Sequence, residues 1–150
     1  MWTFAQAVYS GPGIAQSLLQ WQDEAGADVC VLLALLYAEH HGLRIDAETV
    51  RALDALTLDW RQNVVHPLRT MRRRLKSAGQ ADSAVEVFRS TIKDAELAAE
   101  RRQLVKLAGA LASLPPNDNA GTDVLRLYAE HLGVPEPILP ELASWMTQTG

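Results

Sequence analysis

The sequence predicts an all-α fold: one domain over residues 1–150, a bundle of about six or seven helices around a buried central helix at 28–41. Three observations predict it. Val29 to Ala38 is an unbroken apolar run, so a helix through it has no polar face and must be enclosed on most sides. Elsewhere, apolar residues recur at steps of three and four. No segment alternates with the period of a strand.

Each element follows from its own residues. Trp2, Ala5 and Tyr9 share a helical face, with Phe4 and Val8 beside them, and Ser10-Gly11-Pro12-Gly13 ends that helix in a turn. Ile14, Leu18, Trp21 and Ala25 line the inner side of a second helix, which Gly26 closes. Asp28 is a good N-cap for the central helix and Gly42 a good terminator. Its run is too short for a bilayer, which needs about 20 residues. Asp46 caps the next helix, whose face is Val50, Leu53, Leu56, Trp60 and Val64. Pro67 interrupts it and also suits the first turn of a new helix carrying Leu68, Met71 and Leu75 inward. Asp82 opens a long segment with Val85, Phe88, Ile92, Ala95 and Ala99 on one face, which then shifts to Leu104, Leu107, Leu111 and Leu114. One straight helix over 82–114 would be on the order of 50 Å long, against a radius of gyration of about 15 Å for such a domain. The segment therefore predicts a kink or break near 98–102, or a helix serving two packing layers. Pro115 to Asn119 is a loop, Asp123 to His131 a short helix ending at Gly133, and Leu139, Leu142 and Trp145 mark a last helix.

Composition narrows function by exclusion. A net charge of -4 and a pI near 5.5 argue against a surface devoted to nucleic acid, leaving only a local basic patch. The single cysteine, Cys30, excludes an internal disulfide and reads as inert core within the apolar run. Met1 to Gln6 has neither the basic nor the long apolar part of a signal peptide, which predicts a cytoplasmic protein that stays off membranes. Gly11-Pro12-Gly13 is too short for a phosphate loop, no His-x-x-x-His pair is present, and no cofactor is expected. His40, His41, His66 and His131 read as surface or capping residues.

Two patterns carry the candidate chemistry. The first is an echo: Asp23, Gly26 and Asp28 return as Asp118, Gly121 and Asp123, and Tyr37-Ala38-Glu39-His40 returns as Tyr128-Ala129-Glu130-His131. Asp28 and Asp123 suit helix caps, and the glycines suit terminators. The alternative is a divalent-metal site from Asp23, Asp28, Asp118 and Asp123 with the Glu-His pairs, which would make the protein a metal- or phosphate-dependent enzyme. The second pattern is basic. Arg61, Arg69, Arg72, Arg73, Arg74 and Lys76 lie in a 16-residue stretch without an acid. On a helix from Pro67, residues Arg69, Arg72, Arg73 and Lys76 share one face. Arginine forks suit carboxylate and phosphate. That face either pairs with the acids of the 82–100 segment or meets an anionic partner, protein or nucleic acid, with Arg61 contributing. The second reading predicts a non-catalytic binding or adaptor module.

The chain also resembles a known family. Trp2-x-Phe4-Ala5, Tyr9, Pro12-Gly13-Ile14, Gln22-Asp23, Gly26 and Asp28-Val29 carry the likeness, and Trp60-Arg61, Pro67-Leu68-Arg69, Arg72 and Leu75-Lys76 continue it. The pattern is similar to a group of small proteobacterial proteins that form a domain of unknown function. The resemblance implies a cytoplasmic, single-domain bacterial protein and supplies no activity. Cys30 stands where that pattern has asparagine, which weighs against a polar role at this position.

Overall fold

Aspartate side chains start four of the helices by accepting from backbone N–H groups that no earlier turn can satisfy. Asp28 accepts from Val31 N at 2.9 Å, Asp46 from Thr49 N at 2.9 Å, Asp82 from Ala84 N at 2.8 Å and Asp123 from Arg126 N at 3.0 Å. The computed structural model describes residues 1–117 and 123–149. Its helices are α1 (Trp2–Ser10), α2 (Ile14–Ala25), α3 (Val29–His40), α4 (Ala47–Trp60), α5 (His66–Arg74), α6 (Lys76–Ala81), α7 (Ser83–Leu111), α8 (Val124–Leu132) and α9 (Pro140–Thr149). No strand occurs among the described residues; a lone bridge between Leu43 and Pro116 ties two loops together. The fold is all-α, and no described helix is long and apolar enough to cross a membrane.

Helix α3 is the centre of the core. Only Tyr37, Glu39 and His40 of its twelve residues escape full burial, and Leu32, Leu33, Leu35 and Leu36 are all buried. Around it lie Ala5 and Val8 of α1, Ile14, Leu18 and Trp21 of α2, Leu104, Leu107 and Leu111 of α7, Val124 and Tyr128 of α8 and Leu142 of α9. Gly26, at φ 71°, terminates α2 in the left-handed conformation that glycine adopts without a Cβ penalty.

Two expectations meet corrections. Pro67 does not interrupt its helix. A π turn over Arg61–Val65 joins α4 to α5, and His66 N–H donates to the Arg61 carbonyl five residues back. Proline has no N–H for the carbonyl four residues earlier, and the wider turn absorbs that mismatch without a break. The extra residue also delays the inward stripe, so Val65 is buried in place of Val64. Upstream, Thr57 and Arg61 take inward positions where the sequence favours Leu56 and Trp60.

The second correction concerns the inner face of α7; the helix itself runs unbroken for 29 residues, about 43 Å, the second of the two outcomes expected for it. It serves two layers. Its first half packs on α5 and α6, and its second half enters the core with Leu104, Leu107 and Leu111. Phe88 is 57% exposed and Ala95 lies on the surface, whereas Glu96 is buried on the inner side.

Candidate functional site

Two polar clusters form where the helices cross. The deeper one is centred on Asp28. Its backbone N–H donates to the Tyr128 hydroxyl at 2.9 Å, and its carboxylate accepts from Gln103 Nε2 at 2.7 Å and faces Arg61 Nε at 3.8 Å. Arg61 donates to Asp54 at 2.6 Å, and His131 Nε2 lies 3.1 Å from the other oxygen of Asp54. Burial pushes the Asp28 carboxyl up, against the pull of Arg61. Burial also acts to raise Asp54, but its hydrogen bonds to Arg61 and His131 outweigh that and hold it below the ordinary value. Arg61 is itself 6% exposed. The anion-binding role expected for it is therefore corrected. It neutralises carboxylates inside the domain, because Arg61, at the first position of the π turn, continues the inward stripe that Val50, Leu53 and Thr57 set on α4.

The second cluster borders a cleft of about 440 Å³ between α1, α2, α3, α5 and α7. Val29, Cys30 and Leu33 from the start of α3 and Leu104 from α7 supply its apolar walls, with Trp2, Tyr9, Leu19 and Leu97 also lining it. Arg69, Arg72, Arg73 and Lys93 line it with Glu96 and Glu100. Arg69 donates to Glu96 at 3.0 Å and to Glu100 at 2.7 Å, and Arg72 donates to the second oxygen of Glu96. These pairs hold α5 on α7. The apolar anchor expected from Leu68, Met71 and Leu75 is weaker than the sequence implies, since α5 buries no residue fully and Met71 is 48% exposed.

Electrostatics separate the two acids. Burial works to raise Glu96, yet hydrogen bonds from Arg72 and Arg69 hold it below the ordinary carboxylate value. Burial dominates at Glu100 and raises it in spite of Arg69. Burial, with Asp28 and Glu100 nearby, also keeps the Cys30 thiol protonated well above its usual range. A thiol in that state is a poor nucleophile, consistent with inert packing.

Of the residues predicted for an anionic partner, Arg69, Arg72 and Arg73 come together on the cleft. Arg73 alone of the three turns to α2, donating to Asp23 at 2.9 Å across an exposed pair. Lys76 is exposed at the start of α6 and does not line the cleft. Lys93 also lines the cleft and was not singled out by the sequence, because an isolated lysine on a charged helix gives no local signal.

The residues of the alternative metal site are otherwise engaged. Asp23 pairs with Arg73, Asp28 caps α3 inside the core, and Asp123 caps α8. Asp118 lies outside the described residues. Among the described residues no group of three or more His, Cys, Asp and Glu side chains is placed to hold a metal.

The echo has a different consequence. Glu39, in the first tetrad, accepts from the Val124 N–H at the start of α8 and faces Asp123. Burial and Asp123 push its carboxyl up to about 7. A folded-state value above the unfolded one means the native state holds the proton longer. Native stability from this group is therefore full below about pH 4.5 and is lost as pH rises through about 7. Glu39→Gln should leave urea stability unchanged near pH 4.5 and raise it at about pH 8. Equal stabilities at both pH values would refute the shift.

No curated protein and no solved structure gives a significant match to the chain. The family model described as "Protein of unknown function (DUF2390)" matches residues 1–107, which contain every residue lining the cleft and most of α7. That match spans well over half of the 150 residues, and the chain belongs to this family of unknown function.

Proposed function

We propose that the protein is a non-catalytic binding module that takes an anionic group of its partner into the cleft beside α5. The observation that carries this reading is the convergence of Arg69, Arg72, Arg73 and Lys93 on one partly apolar cleft in a chain that is acidic overall. Its volume falls within the range of about 300–1,000 Å³ typical of small-ligand sites. The cations differ in availability. Arg69 and Arg72 are committed to Glu96 and hold the wall in shape. Among the described residues Arg73 pairs with Asp23 alone, and both side chains are half exposed. Exposed pairs of this kind contribute about 0.2–1 kcal/mol, so an incoming carboxylate or phosphate can replace Asp23 at small cost. Lys93 stands exposed on the same cleft. The bacterial and cytoplasmic setting belongs to the same proposal and rests on the family resemblance.

Anilinonaphthalene sulfonate, an apolar anion, tests the reading. Arg73→Glu with Lys93→Glu should weaken its one-to-one binding at least tenfold. Folding should hold, because exposed charge changes usually cost within about 0.5 kcal/mol. Unchanged affinity in a folded double variant would overturn the proposal.

A further inference from the structure

We propose that the cleft ligand is a small amphipathic carboxylate with an N–H donor beside its carboxylate and an apolar chain, the chemistry of an N-acyl amino acid. The inference rests on the binding reading above and names the ligand class. Two features of one end of the cleft, and the apolar walls beyond it, carry it. The Gln22 carboxamide lines the cleft with its nitrogen and oxygen both buried; the nitrogen reaches only the Asp23 carboxyl, off ideal hydrogen-bond geometry, and the oxygen has no donor among the described residues. Buried amide atoms without partners are costly and uncommon, and here the cleft is where a partner can come from. Asp23 receives the Arg73 guanidinium and is also approached by the Gln22 amide, so amide and guanidinium meet at one carboxylate.

The chemistry of that end is asymmetric. Arg73 offers N–H donors to a carboxylate, and Gln22 Nε2 offers one more. Gln22 Oε1 accepts, and a bare carboxylate has nothing to donate to it. An amide N–H next to the carboxylate satisfies both atoms of Gln22 at once. Beyond the charged rim of Arg69, Arg72, Lys93, Glu96 and Glu100, the cleft has apolar walls, with Val29, Leu33 and Leu104 able to take a chain. A phosphate with no chain would leave those walls uncovered.

The test uses the full chain and calorimetric titration with N-decanoylglycine, decanoate and decanol, each below its aggregation concentration. N-decanoylglycine should bind one-to-one and at least tenfold more tightly than decanoate, with decanol weaker again. Gln22→Leu should erase the difference between the first two, and Arg73→Glu should weaken both at least tenfold while melting stays unchanged. A tri-leucine peptide with a free carboxylate identifies the source. Tighter binding than N-decanoylglycine points to apolar protein C-termini, and weaker binding to a free acylated amino acid; either keeps the chemistry. Decanol binding as well as the acids, or a Gln22→Leu variant that still prefers N-decanoylglycine, overturns the inference. If N-decanoylglycine fails to bind while anilinonaphthalene sulfonate still depends on Arg73, this ligand class falls and the anionic cleft stands. If both fail, both fall.

Discussion

Glu96→Ala should lower the unfolding free energy by about 3–5 kcal/mol, the range expected when one partner of a buried ion pair is removed. Glu96 is 5% exposed and receives Arg69 and Arg72 together. Removing it leaves both guanidiniums against α7 with their principal acceptor gone, and Arg69 with only Glu100. The helix they tether, α5, has no fully buried apolar residue to hold it in place. Glu86→Ala is the internal control. Its carboxylate pairs with Arg89 and is 47% exposed, so its removal should cost less than about 1 kcal/mol. Urea denaturation of both variants at neutral pH measures the difference, and similar small losses would show that the Glu96 pairs do not hold α5. Acid should mimic the variant. The folded-state value of Glu96 is depressed, so its stabilisation is present above the unfolded value and is lost as pH falls through the folded one.

Leu35→Ala should cost about 2–5 kcal/mol, the loss seen when buried leucines are truncated in a packed core. Leu35 is fully buried on α3, a helix with α1, α2, α7 and α8 around it. Because those neighbours are themselves held by other contacts, the cavity cannot collapse easily, and the cost should fall toward the upper part of the range. Leu58→Ala, at a position 40% exposed on α4, should cost far less. A loss below about 0.5 kcal/mol at Leu35 would show that α3 is not the centre of the core.

Much of the scaffold was readable from short-range rules. Asp28, Asp46, Asp82 and Asp123 cap helices because a carboxylate three or fewer residues from a free N–H can reach it whatever the rest of the chain does. Gly26, Gly42 and Gly133 adopt positive φ for an equally local reason. Pro67 shows the limit. The sequence marks a missing N–H, but whether the chain breaks or widens into a π turn depends on what holds the helix on either side.

The candidate site was legible only as an ingredient list. The sequence by itself determined that a helix over 28–41 is enclosed and that a basic segment with no acid near it in sequence must find partners elsewhere or face outward. It pointed to the acids of 82–100 as internal partners, which holds for Arg69 and Arg72 but not for Arg73 or Arg61. Only the tertiary structure decided which arginine went where. Arg69 and Arg72 meet Glu96 across 27 and 24 residues, Arg73 meets Asp23 across 50, and Arg61 is drawn into the core with Asp28 and Asp54. The physical reason is that a helix rotates about 100° per residue. One residue of phase, such as the π turn inserts between α4 and α5, changes which side chains face inward. That phase is set by the packing of α4, α5 and α7 as rigid rods, which no local rule encodes.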